Sequence, residues 1–285
     1  MQRSRGAGAV LSEGWTFFLR GLGTAFPWVL AAELVQALPF LHMSGSLLNM
    51  DLSLLVEPAY LAKAVGSSAL QAWLYGIAIL QLARLAGEKD AVSIWTALRA
   101  VPSVCIGYLL YEIVVIIGLL IAVLFFSVGL TLLGPLPALL IACLPLAPTA
   151  VASTALAFFV YPAVLEGVGP FAALQRSRRL AMQGWARATL VVSVPALVLL
   201  AVWAGENAGS VMATFDRSLQ QLSAASEEGA GDPVQALMSS GGLQDAATAH
   251  PWLHFAWAAM GALAWWYTLA VCYVEYRELK RVSAE

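Results

Sequence analysis

Fifty-three consecutive residues, Ile113 to Leu165, contain no Asp, Glu, Lys or Arg. A soluble domain, in which roughly a quarter of residues are charged, has no place for such a run. A bilayer does. Its hydrocarbon core, about 30 Å thick, takes about 20 apolar residues of helix. Backbone groups in lipid must be satisfied within the segment, which selects helix over irregular chain. The run is too long for one crossing and suits two, with the turn at Gly134-Pro135-Leu136-Pro137. Composition agrees, with 60% apolar and 11% charged residues in a chain of 285. A formal charge of −2 leaves no global basic field for nucleic acid.

Counting outward from this hairpin predicts an all-α integral membrane protein, a six-helix bundle in one membrane domain over 1–285. The spans fall at about 22–41, 65–86, 103–126, 138–161, 188–205 and 252–274. An amphipathic lead-in at 8–20 precedes the first, with Ser12 as its N-cap. Glu13 and Arg20 interrupt the early apolar stretch and no small-residue cleavage site follows, so the first span is expected to be retained. The bundle divides into three hairpins, each entered through an amphipathic elbow helix.

Orientation follows from the basic residues. Arg3, Arg5 and Arg20 precede the first span; Arg84, Lys89 and Arg99 separate the second from the third. Arg176, Arg178, Arg179 and Arg187 separate the fourth from the fifth, and Arg277, Lys280 and Arg281 follow the sixth. Thirteen of the fifteen Lys and Arg thus share one side, leaving Lys63 and Arg217 on the other. The positive-inside rule makes that side, and both termini, cytoplasmic. The polar stretch 206–250 lies opposite, with a helix continuing outward from the fifth span and a short one from Asp232-Pro233 through Met238.

A weak internal repeat has a period near 80. An offset of 79 brings Arg20 onto Arg99 and Glu33 onto Glu112; an offset of 80 brings Gly87 onto Gly167 and Arg99 onto Arg179. Trp15, Trp95 and Trp185 accompany these arginines, and indole at headgroup depth beside guanidinium at the phosphates is a stable interfacial pairing. The third copy departs from the register, because position 192 is Val.

The densest basic cluster lies in the elbow Tyr161 to Leu190. Within it, Pro162, Glu166, Gly167, Ala173, Leu174, Ser177 and Leu180 form a pattern that resembles YciC-type bacterial inner-membrane proteins and the membrane domains of glycerophosphodiester phosphodiesterases. The ending Tyr273-Val274-Glu275-Tyr276-Arg277-Glu278-Leu279 is similar to short Tyr/Arg endings of the same group. The resemblance covers about thirty residues specifically and implies a six-helix inner-membrane protein with amphipathic elbows. It does not extend to a phosphodiesterase catalytic domain.

The polar candidates are few. Glu33 and Glu112 fall near the middle of their spans, where a carboxylate is costly and faces protein or water. They read either as a protonatable pair in a cavity or as hydrogen-bonded residues that lock helices together. Glu166 reads as a helix-end residue that pairs with Arg176 or Arg179. Arg20, Arg99, Arg176, Arg178, Arg179 and Arg187 are candidates for lipid headgroups or a docking partner. His250 and His254 lack the glutamate and third ligand of a zinc hydrolase, and read as interfacial packing. Cys105, Cys143 and Cys272 lie in apolar runs without paired spacing, which fits neither a zinc site nor a disulfide framework.

Gly261, Ala262 and Ala264 allow close packing in the last span. Pro27, Pro102, Pro145, Pro148 and Pro195 mark kinks or span starts. No phosphate-binding loop, nucleophile elbow or metal cluster is legible, so no cofactor or metal is expected. The favoured reading is a non-enzymatic membrane-organising or accessory protein of a bacterial inner membrane. Its partners would be anionic lipids and another membrane protein, not nucleic acid. The alternative is a small permease or permease subunit using Glu33 and Glu112. A lipid enzyme would need a polar cavity open to one leaflet.

Overall fold

The computed structural model describes residues 5–37, 58–88, 93–133, 135–199, 201–202, 205 and 251–284. Among these there is no strand, as hydropathy requires. Nine helices follow in order: α1 Ala7–Gly21, α2 Phe26–Ala37, α3 Pro58–Leu85, α4 Ile94–Leu133 and α5 Pro135–Ala157, then α6 Val160–Leu165, α7 Pro170–Gln183, α8 Trp185–Leu199 and α9 Pro251–Ala284. The expected loop 206–250, with its outward helix and its helix through Met238, lies outside the described residues. His250 lies outside them too, as does the side chain of His254.

Three helices are long and apolar enough to cross a bilayer: Val65–Leu85, Ile94–Ala122 and Pro148–Leu165. Two further pairs qualify only together. Ala7–Gly21 and Phe26–Val35 meet at 83°, Pro170–Gln183 and Trp185–Leu199 at 108°. The described residues therefore hold three to five candidate spans rather than a demonstrated six. The first expected span, at about 22–41, includes residues 38–41, which lie outside the described residues. The sixth expected span lies inside α9, which is not among the qualifying helices.

Within the charge-free run α4 is described to Leu133 and α5 from Pro135, while Gly134, in the expected turn, lies outside the described residues. At 40 residues α4 is longer than the span drawn at 103–126, and Pro102 sits inside it. Large apolar side chains stand exposed along α4, among them Leu109, Ile113, Ile116, Ile117, Leu120, Ile121 and Leu124. They recur at three- and four-residue steps, so they share a face. In water such a stripe is an aggregation hazard; in hydrocarbon it is ordinary outer surface.

One helix start differs from expectation. Helix α1 begins at Ala7 behind an extended Gly6, so Ser12 is mid-helix and not its N-cap. The Ser12 carbonyl accepts a hydrogen bond from the Thr16 hydroxyl at 3.1 Å. Burial pulls the start forward, because Val10, Gly14, Phe17 and Gly21 form one buried stripe that needs the extra turn.

Two compact units divide the chain at Val29/Leu30, Gln71/Ala72, Ala196/Leu197 and Ala264/Trp265. In the first unit the core is built around α9, not around the basic elbow. Trp266, Ala270, Val271, Tyr273 and Glu275 of α9 have no exposed surface. Helix α1 lies so close to it that a Cβ on Gly14 would stand 2.6 Å from Val271 Cγ2 and 2.9 Å from its Cα. Helix α4 runs along α5 and also meets α6 and α7. Glycines set these approaches, with Gly107 against the Phe159 ring and Gly118 against Thr149. In the second unit Val65, Leu70, Met260 and Leu263 are exposed, and Glu33 is half-buried.

Among the described residues two glycines adopt the left-handed backbone, Gly87 at φ 86° and Gly167 at φ 64°. They are the pair brought together by the offset of 80. Gly87 closes α3 with Glu88 N–H bonded to the Ala83 carbonyl and Gly87 N–H to the Arg84 carbonyl, the two bonds of a Schellman cap.

Candidate functional site

The charged residues of the first unit gather around the last turns of α9. Glu166, at the C-cap of α6, accepts a 2.6 Å hydrogen bond from the Tyr276 hydroxyl. Lys280 Nζ lies 3.0 Å from the same oxygen, and Arg176 lies 2.8 Å from the other. Of the two arginines expected beside Glu166, the structure thus places Arg176. Burial alone pushes the Glu166 carboxyl up, but the bonds from Tyr276 and Lys280 and the Lys280 and Arg176 charges outweigh it. The net direction is below the ordinary value of 4.5. Burial, reinforced by Glu166, raises the Tyr276 hydroxyl, which stays a donor.

A second set ties the start of the chain to its end. Arg187 Nε and Nη2 both approach Glu275 Oε1 at 2.9 Å, while Nη1 donates to the Arg5 carbonyl at 3.0 Å. The Arg5 N–H donates to Glu278 Oε1 at 3.2 Å, and Arg281 Nη2 lies 2.9 Å from that oxygen. Arg5 also pairs with Glu13. Burial holds the Glu275 carboxyl above 4.5 despite Arg187. Glu278 is held below 4.5, chiefly by the bond from Arg281.

These directions set a pH response. Glu166 and Glu278 contribute stability that is complete above 4.5 and is lost as pH falls through their lower folded-state values. Glu275 acts oppositely: its contribution is present below 4.5 and lost as pH rises through its raised value. Loss of the Glu166 and Glu278 contributions weakens the protein in acid, and the Glu275 contribution works against that loss. The melting temperature in detergent is expected to fall between about pH 5 and pH 3, with a shallower fall for Glu166→Gln. An identical fall in that variant would remove Glu166 from the account.

The basic residues therefore sort into two groups. Arg5, Arg176, Arg187, Arg277, Lys280 and Arg281 are engaged in ion pairs within the first unit. Arg20, Arg84, Arg99, Arg178 and Arg179 are exposed. Among the described residues no carboxylate lies within ion-pair reach of these five. Large aromatics stand near them in the chain, with Trp15 51%, Trp95 66% and Trp185 54% exposed. Of the six arginines singled out from sequence, Arg176 and Arg187 thus hold the fold, while Arg20, Arg99, Arg178 and Arg179 are open.

Glu33 lies on α2 in the second unit, and Glu112 lies on α4 in the first. The side chain of Glu112 lies outside the described residues. Among the described residues no three His, Cys, Asp or Glu converge as metal ligands do.

Sequence reasoning missed Glu88, Glu275 and Glu278. Glu88 Oε1 accepts from the Tyr273 hydroxyl at 3.1 Å and lies 3.6 Å from Arg277 Nε. The signal was faint: two glutamates three residues apart in an ending whose Arg277, Lys280 and Arg281 were read for orientation alone. It missed Ser177 as a structural bond, too. Ser177 is fully buried, donates to the Ala155 carbonyl at 2.7 Å and accepts from Phe158 N–H at 3.2 Å, closing the break between α5 and α6.

Fold and site together define a helical membrane protein with three to five candidate spans and a charged cluster around the end of its last helix. No family model matches the chain, and no curated protein or solved structure is similar to it. The family likeness rests on the residues read from Pro162 to Leu180 and on the ending Tyr273 to Leu279.

Proposed function

We propose that this is a multi-pass bacterial inner-membrane protein, both termini cytoplasmic, that organises anionic lipid and assists other membrane components without catalysing a reaction. In this reading six spans form three hairpins, and each hairpin is entered through an elbow helix lying along the interface. The sharp bends of 83° and 108° support the elbows. The left-handed Gly87 and Gly167, twelve residues before Arg99 and Arg179, support a repeated design.

One observation carries the lipid assignment: the exposed arginines that lack a carboxylate partner among the described residues stand near exposed tryptophans in the chain. An arginine used only for folding finds an internal partner, as Arg176 and Arg187 do. One left open beside indole rings is suited to phosphate oxygens at headgroup depth. Each contributes on the order of 1 kcal/mol near an anionic surface.

Exchange of Arg20, Arg99, Arg178 and Arg179 for glutamine is therefore expected to abolish enrichment of phosphatidylglycerol and cardiolipin in the co-purified lipid. The folded fraction should be unchanged, because none of the four is needed for an internal ion pair. An unaltered lipid profile, measured by mass spectrometry of the extract, would sink the reading.

A further inference from the structure

A cleft of about 360 Å³ opens in the first unit between the end of α3 and the start of α4. Ile77 and Leu80 form an apolar floor, Trp28 and Trp95 stand at its sides, and Gln81 and Arg84 bring polar groups to it. Ile77 and Leu80 are buried, whereas Arg84 and Trp95 are exposed. Arg84 has no carboxylate partner among the described residues; Glu88, one turn further on, is already held by Tyr273 and Arg277.

We infer that this cleft is a binding site for one anionic phospholipid, a use that rests on the lipid reading above and makes it specific. The Arg84 guanidinium takes the phosphate and Gln81 a headgroup hydroxyl or ester oxygen. The first part of one acyl chain lies on Ile77 and Leu80 between the indoles. The volume suits a headgroup and the beginning of a chain, within the usual range of ligand pockets; the rest of the lipid stays in the bilayer. Charge and apolarity together choose the occupant. A free anion leaves the floor uncovered, and phosphatidylcholine carries its own fixed cation beside the phosphate that Arg84 would pair.

Native mass spectrometry of the full-length protein, delipidated in mild detergent, tests this. Phosphatidylglycerol, phosphatidylcholine and inorganic phosphate are the separate probes. The expected result is one tightly held phosphatidylglycerol per chain, about tenfold weaker in Arg84→Gln, as loss of one charge-assisted contact implies. Trp95→Ala, an exposed position, should weaken the same adduct with its phosphate contact intact. Phosphatidylcholine should bind more weakly, and excess inorganic phosphate should not displace the lipid.

Wild-type phosphatidylglycerol binding by Arg84→Gln overturns the inference, and so does full displacement by inorganic phosphate. If the glutamine variant of Arg20, Arg99, Arg178 and Arg179 loses its lipid while Arg84→Gln does not, the general reading stands and the cleft falls. If Arg84→Gln alone loses one adduct, the cleft stands and the other four arginines are dispensable for tight binding.

Discussion

Arg187→Ala is expected to destabilise the protein by about 3–5 kcal/mol, the usual cost of stripping one partner from a buried ion pair. Glu275 is fully buried and Arg187 only 16% exposed, so water cannot replace the lost guanidinium. Three contacts disappear at once: two to Glu275 Oε1 and one to the Arg5 carbonyl. The effect should depend on pH in a stated direction. Burial already raises the Glu275 carboxyl, and removing Arg187 raises it further, so the carboxyl takes up a proton instead of remaining an uncompensated charge. The deficit therefore shrinks in acid. Arg187→Lys should not restore stability, because one ammonium cannot reproduce a planar fork that meets a carboxylate and a carbonyl together. Thermal melts of the three proteins at neutral and acidic pH decide it. A deficit below about 1 kcal/mol, typical of an exposed pair, would show that this pair does not join the elbow to α9.

Gly21→Ala carries the second large effect. A Cβ at Gly21 would fall on Cζ2 and Cη2 of Trp266, a side chain with no exposed surface. The ring cannot easily move aside, because its Nε1 donates at 2.9 Å to the Phe18 carbonyl near the end of α1. Overpacking of this kind costs about 1–3 kcal/mol. Trp266→Phe removes the outer ring that the methyl would strike, so the double variant should be more stable than the two single losses predict. A coupling of about 0.5–3 kcal/mol is the range for residues in contact. Simple additivity in denaturant or thermal melts would mean that α1 and α9 do not meet at Gly21 and Trp266.

The helical class was legible in the chain because it depends on local content. A run without charge must be helix in lipid. The site was legible only in part. Arginines are conspicuous in an apolar sequence, so all six candidates were visible; which of them are already engaged was not. Arg187 meets Glu275 across 88 residues, and Tyr276 meets Glu166 across 110. No spacing rule reaches that far. Ser12 illustrates a local failure, since a capping residue was outcompeted by the burial of Val10.

By itself, then, the order of residues determined the solvent this protein lives in, its helical class and the places where basic side chains occur. Hydropathy and charge are properties of short stretches, and a bilayer reads them directly. Only the tertiary structure decided that the last helix from Trp266 to Leu279, with Glu275 and Glu278, forms the buried core of the first unit, and which arginines remain open. Whether a charge is spent internally depends on what stands opposite it, and that is settled by packing between segments distant in the chain.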